Sequence, residues 1–104
     1  MIESEFNQLA DTALARIETA VDACGGDIDC NRSGNILEIE FDNGQKIIVN
    51  RHDINQEIWV AAKSGGFHYA WRDGIWHSQR DGSELYSRLA ELFAAQGEKI
   101  DLES

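Results

Sequence analysis

Apolar residues recur with helical spacing at the start of the chain. From about Ser4 to Cys24 they fall at Phe6, Leu9, Ala10, Ala13, Ile17, Ala20, Val21 and Cys24, which predicts a helix with one buried stripe that Gly25-Gly26 stops. The period then changes to two. Asp27-Ile28-Asp29-Cys30 sets two acids on one side of a short strand, and between Ile36 and Phe41 the apolar Leu37, Ile39 and Phe41 alternate with Glu38 and Glu40. Asn43-Gly44 signals a hairpin into Lys46-Ile47-Ile48-Val49-Asn50. Glu57 to Lys63 and Phe67 to Arg72 flank Ser64-Gly65-Gly66, and Asp73-Gly74 turns the chain into Ile75-Trp76-His77-Ser78. A last helix is predicted from near Asp81, where Asp81 and Glu84 have capping-box spacing. Leu85, Leu89, Leu92 and Phe93 form its buried stripe, Glu84 and Arg88 an outer i,i+4 pair, and Gly97 its end.

The order is therefore helix, about six short strands, helix. Consecutive hairpins make an antiparallel sheet, and two one-sided helices cover only one face of it. This predicts an α+β fold, a two-layer α-β sandwich with both helices on one side, in a single domain over residues 1–104. Strand parity assigns the open face. With Ile47, Val49, Ile58, Val60, Phe67, Tyr69 and Trp71 turned inward, Glu38, Glu40, Ile48, Asn50, Trp59 and His68 point outward. A tryptophan on a mostly polar, solvent-facing sheet marks an interaction surface, because its large rigid ring offers contact area with little entropy to lose.

Charge sharpens this picture. The first 42 residues hold ten carboxylates against Arg16 and Arg32, a net of −8, while the remaining 62 carry a net of only −2. Such crowding costs compact-state stability, and it points to a surface that meets a metal ion or a basic partner. The formal charge of −10 argues against binding nucleic acid or an anionic membrane. No apolar run approaches the length of a membrane span. The acidic N-terminus lacks the marks of a signal or transit peptide, so a cytoplasmic location is expected.

Catalytic signatures are missing. There is no Gly-rich phosphate loop, GxSxG or HExxH, and Cys24 and Cys30 lack zinc-site spacing and read as small buried residues. His52, His68 and His77 are scattered over separate segments, so each reads as a surface residue. What the pattern offers instead is a row of acids on the first helix, Asp11, Glu18 and Asp22, extended by Asp27 and Asp29 at the first strand. Along this row no basic residue interleaves with the acids. Carboxylates suit hard cations, iron included, although open sites hold them weakly.

The chain resembles the bacterial frataxin (CyaY) family from Glu5 to Gln96. The resemblance rests on Asp42-Asn43-Gly44-Gln45-Lys46-Ile47-Ile48-Val49-Asn50-Arg51, Ile58-Trp59-Val60, Ser64-Gly65-Gly66-Phe67-His68-Tyr69, Trp76 and Asp81-Gly82, in that order. It implies an acidic ridge that binds ferrous and ferric iron weakly, here Asp11, Glu18, Asp22, Asp27 and Asp29. It also implies a sheet surface at Asn50, Trp59 and His68, beside Glu38 and Glu40, that meets the cysteine desulfurase and its iron–sulfur scaffold. The implied role is to regulate cluster formation or supply iron without enzymatic chemistry, as a monomer when iron is absent. An iron-storing ferroxidase that oligomerises with iron is the alternative. Thr19 and Ala23 stand where close relatives commonly carry acids, and the loop before Asp27 is shorter. The family further implies a C-terminal tail, with Ile100 and Leu102, lying between the helices and distant from the ridge.

Overall fold

The computed structural model describes residues 1–102. The chain runs α1 (Glu3–Ala23), β1 (Asp29–Ser33), β2 (Ile36–Glu40), β3 (Lys46–His52), β4 (Glu57–Ala62), β5 (Gly65–Arg72), β6 (Ile75–His77) and α2 (Leu85–Ala95). The six strands form one antiparallel meander in sequence order. Both helices bury their apolar stripes in the core that the sheet's inner face supplies, which makes the expected α-β sandwich.

Local sequence accounts for most boundaries. α1 buries Phe6, Ala10, Ala13, Leu14, Ile17, Ala20 and Val21, with acidic Glu3 and Glu5 in its first turn, where the helix dipole favours negative charge. Asp73 and Gly74 take φ values of 52° and 82° between β5 and β6, the left-handed pair that a two-residue type I′ turn requires. The β2–β3 hairpin is wider. Phe41 and Gln45 close it through a 2.8 Å N–H···O bond, and only Gly44 of the Asn43-Gly44 pair is left-handed, at φ 85°. This is the three-residue loop, an ordinary turn followed by one left-handed residue.

Two expectations change at the second helix. It begins at Leu85, and its N-cap is Glu84, whose carboxylate accepts from the N–H groups of Tyr86 and Ser87. Asp81 instead closes the preceding loop, accepting from the Ser83 N–H at 2.9 Å and the Ser83 hydroxyl at 2.7 Å. These bonds, the hydroxyl's first, hold the Asp81 carboxyl down at about 2. Arg88 pairs with Asp81 at 2.9 Å and Glu91 at 3.6 Å, because the cap occupies the Glu84 carboxylate. Leu92 is only half-buried.

Aromatic edges lock the layers together. Phe6 of α1 meets Trp76 of β6 edge-on at 6.1 Å, and Phe93 of α2 meets Phe41 at 5.0 Å. Inward-facing Leu37, Ile39, Val49, Ile58, Val60 and Tyr69 are essentially inaccessible, while their outward neighbours are half-buried or exposed.

Candidate functional site

The acids proposed as one ridge occupy two places. On α1, Asp11 and Asp22 are exposed and Glu18 is half-buried, all clear of the core. Asp11 is not a bare carboxylate. Its Oδ1 lies 3.1 Å from Arg32 and 2.7 Å from Arg51, and Arg51 also pairs with Asp53 at 2.9 Å. The expectation of a row without basic residues fails here, because the bases come from other strands. Arg32 and Arg51 lie on the helix-facing side of β1 and β3, two residues past Cys30 and Val49, where the apolar core ends. Asp11 and Asp22 are also eleven residues apart, about 16 Å along the helix, too far to share an ion.

The other end of the row stays acidic. Glu18 and Asp22 face β1 closely enough to act on Cys30. Burial first, then these two charges, push its thiol up from 9.0 to about 11, so it stays protonated at neutral pH. Asp29 follows opposite parity to Cys30 and pairs in register with Glu40. Asp27 precedes β1 rather than lying on it. Asp27, Asp29, Glu40 and Asp42 line one polar concavity of about 410 Å³ at the corner where β1 meets the β2–β3 turn. The structure thus joins Glu40, read as a docking residue, to the two strand-edge acids, and it brings in Asp42. Among the described residues no three or more His, Cys, Asp or Glu side chains are placed to hold a metal ion together. Such open carboxylates suit weak, water-mediated cation binding.

Across the open face the register lines up Ser33, Ile36, Asn50, Trp59 and His68 in one row, and Asn31, Glu38, Ile48, Ala61 and Gly66 in the next. Glu38 pairs with Lys46 at 3.2 Å. Trp59 points outward, as parity requires, but it is half-buried. His52 stacks on one face of its ring at 3.9 Å and 6°, and His68 on the other at 4.2 Å and 12°. The indole N–H donates to Glu57 at 2.8 Å. Sequence reasoning missed His52. Carrying the alternation two residues past Asn50 would have put it outward, in the neighbourhood of Trp59.

A family description for frataxin-like domains matches residues 1–99. This chain belongs to the frataxin-like family. It is 52% identical over 104 residues to the iron-sulfur cluster assembly protein CyaY of Dechloromonas aromatica (strain RCB), covering 98% of this chain and 99% of that protein. It is 56% identical over 102 residues to the same-named protein of Chromobacterium violaceum, covering 97% of each. Among solved structures, frataxin from Psychromonas ingrahamii superposes with a TM-score of 0.92 at 34% identity over the full length of both chains. Trimeric yeast frataxin complexed with ferrous iron superposes with a TM-score of 0.69 at 26% identity, covering 88% of this frataxin-like chain and 83% of that one.

Proposed function

We propose that this protein is a weak iron binder of the iron–sulfur cluster assembly machinery that docks on the cysteine desulfurase and its scaffold complex. There it regulates cluster formation or supplies iron, and it performs no chemistry of its own. The observation that carries this reading is the adjacency of two surfaces on one sheet. The four-carboxylate corner at Asp27, Asp29, Glu40 and Asp42 runs onto the open face that holds Trp59. Open carboxylates hold a cation loosely enough to hand it on, and a rigid indole between two rings suits a docking hot spot. Glu18 and Asp22 extend the cation surface, while Asp11 is engaged with two guanidinium groups and contributes little. Family membership and the relatives named for iron–sulfur cluster assembly support the role. The protein works in the cytoplasm, as a monomer without iron, and does not bind nucleic acid or membranes.

A ferroxidase that stores iron in oligomers is the second reading, favoured by the trimeric iron-bound yeast neighbour. Oxidation centres bring several sheltered carboxylates together, whereas among the described residues the only buried polar side chain is Ser78. Iron titration followed by NMR, with and without the desulfurase, tests both readings. Line broadening confined to the corner and to Glu18 and Asp22, with desulfurase-induced shifts at Asn50, Trp59 and His68, is the expected result. Iron-driven growth of the particle with oxygen consumption would favour storage.

A further inference from the structure

The chain has three histidines, and the fold gathers all of them on the open face. His52 and His68 sandwich Trp59. His77 follows on the next row, where the register runs His52, Glu57, Ala70, His77. This aromatic half of the sheet adjoins the half that carries Asp29, Glu38 and Glu40. The face is therefore uneven, strongly acidic over β1 and β2 and less charged around the stack, where Glu57 sits against the indole while the imidazoles are neutral.

The charged groups near the stack are few. Glu57 is the register partner of His52 and accepts the Trp59 N–H. Arg51 and Asp53, on either side of His52, form an ion pair at 2.9 Å, and Arg51 also holds Asp11 at 2.7 Å. Glu57, Arg80 and Asp81 share a small cavity with His68. Arg51 is paired with Asp11 and Asp53, and Asp81 with Arg88. That leaves Glu57, Arg80 and, further along β5, Arg72 as the fixed charges around the stack, and histidine protonation adds positive charge to them. Histidine is the side chain that changes charge between about pH 5 and 8.

Geometry adds a second consequence. The His52 Nδ1 is buried and meets no hydrogen-bond partner among the described residues. In a neutral ring that nitrogen can be the bare acceptor, but in imidazolium it becomes a donor. A buried donor without an acceptor is costly, so charging His52 requires its ring to turn or leave the indole.

We propose that the His52–Trp59–His68 stack is an acid-responsive gate on the docking face. When neutral it presents a flat aromatic patch beside the acidic strip, to which a partner with basic groups docks. When protonated it places positive charge at the contact and breaks the His52 side of the sandwich, so the partner is released. The gate rests on the docking role of this face proposed above.

The test measures binding of the full chain to purified desulfurase–scaffold complex at fixed ionic strength, from about pH 8 down to about pH 5.5. Wild type, His52→Gln/His68→Gln and Trp59→Ala are compared. We expect wild-type affinity to fall about tenfold across that range, the cost of like charges brought together, and the double variant to stay within about twofold. Equal losses in both would overturn the gate. Full affinity of Trp59→Ala at about pH 8 would instead overturn the docking role of this face, and the gate with it. A second readout needs no partner. In the free protein the Trp59 indole N–H resonance should move along the same titration as the His52 and His68 ring protons. An indole resonance that stays still while both rings titrate would overturn the gate even if binding were pH-dependent.

Discussion

Trp59 carries little of the core, since its ring lies between His52 and His68 on the sheet's outer side and its N–H is already paired with Glu57. Trp59→Ala is therefore expected to keep the fold, losing only the two stacking contacts, while weakening association with the assembly complex by about 1–4 kcal/mol if the ring is the hot spot. Thermal unfolding beside a binding isotherm checks both halves, and a collapse of stability would place Trp59 among structural residues. A different residue makes a pH prediction. The Cys30 thiol rises from 9.0 to about 11 through burial, helped by Glu18 and Asp22. The unfolded chain loses this proton at lower pH than the folded one. Its stabilising effect is thus complete below about pH 9 and is lost as pH climbs through about 11. Denaturant titrations at rising alkaline pH should show a downward slope that Cys30→Ala reduces. Parity was enough to turn Trp59 and His68 outward from sequence alone. The stack was not legible, because it depends on which strands neighbour each other and on the diagonal reach of His52, neither of which a single strand reveals.

At the scale of elements, α1 does two jobs along one face. Its N-terminal half is tied to the sheet by Asp11 with Arg32 and Arg51, and its C-terminal half keeps Glu18 and Asp22 beside β1, where they act on the Cys30 thiol. Replacing Glu18 and Asp22 with Lys should reduce iron-induced NMR broadening and leave the helix folded. The two lysines keep a like-charge i,i+4 contact of the same size, roughly 0.2–0.5 kcal/mol, so this pair leaves helix stability nearly unchanged. Unchanged broadening in that variant would move the iron site wholly to the strand corner. For α2 the telling residue is Glu84. Glu84→Ala should cost about 0.5–2 kcal/mol, the usual loss of a side-chain N-cap, read from a denaturation midpoint. Element order, the hairpins and both apolar stripes were readable because period and turn residues are local properties. The start of α2 was misplaced because Asp81 and Glu84 are both capable acceptors at suitable spacing. Only the loop's path, with Asp81 bonded to Ser83 and Arg88, decides between them. The pairing of Asp11 was hidden for the same reason, since its partners lie 21 and 40 residues away in sequence.

For the whole molecule, the C-terminal tail links stability to the acidic end. Ile100 and Leu102 are only 7% and 5% exposed and belong to the core, and Leu102 lines a cleft with Ala15, Thr19 and Ala23 of α1. Burying two such side chains contributes about 1.5–3 kcal/mol each, and ordering the backbone that carries them takes back a large part. A net loss of about 1–3 kcal/mol on removing them is substantial against the roughly 5–15 kcal/mol that holds a small domain together. For a chain of this length it should lower Tm by something on the order of 5–15 °C. Where the tail is cut matters. The expectation that it lies far from the ridge does not hold at its start, because the Glu98 carboxylate sits where a side chain on Gly26 would go, next to Asp27 in the corner. Truncation after Gly97 would remove core contacts and a neighbouring carboxylate together. Truncation after Lys99 removes Ile100 and Leu102 and keeps Glu98, so it should lower Tm while iron binding, read by NMR, persists. Ile100→Ala with Leu102→Ala in the full-length chain should reproduce most of the Tm loss. If both variants melt like the parent, the tail contributes nothing to the core. If the Lys99 truncation loses iron binding while folded, the tail belongs to the cation surface as well.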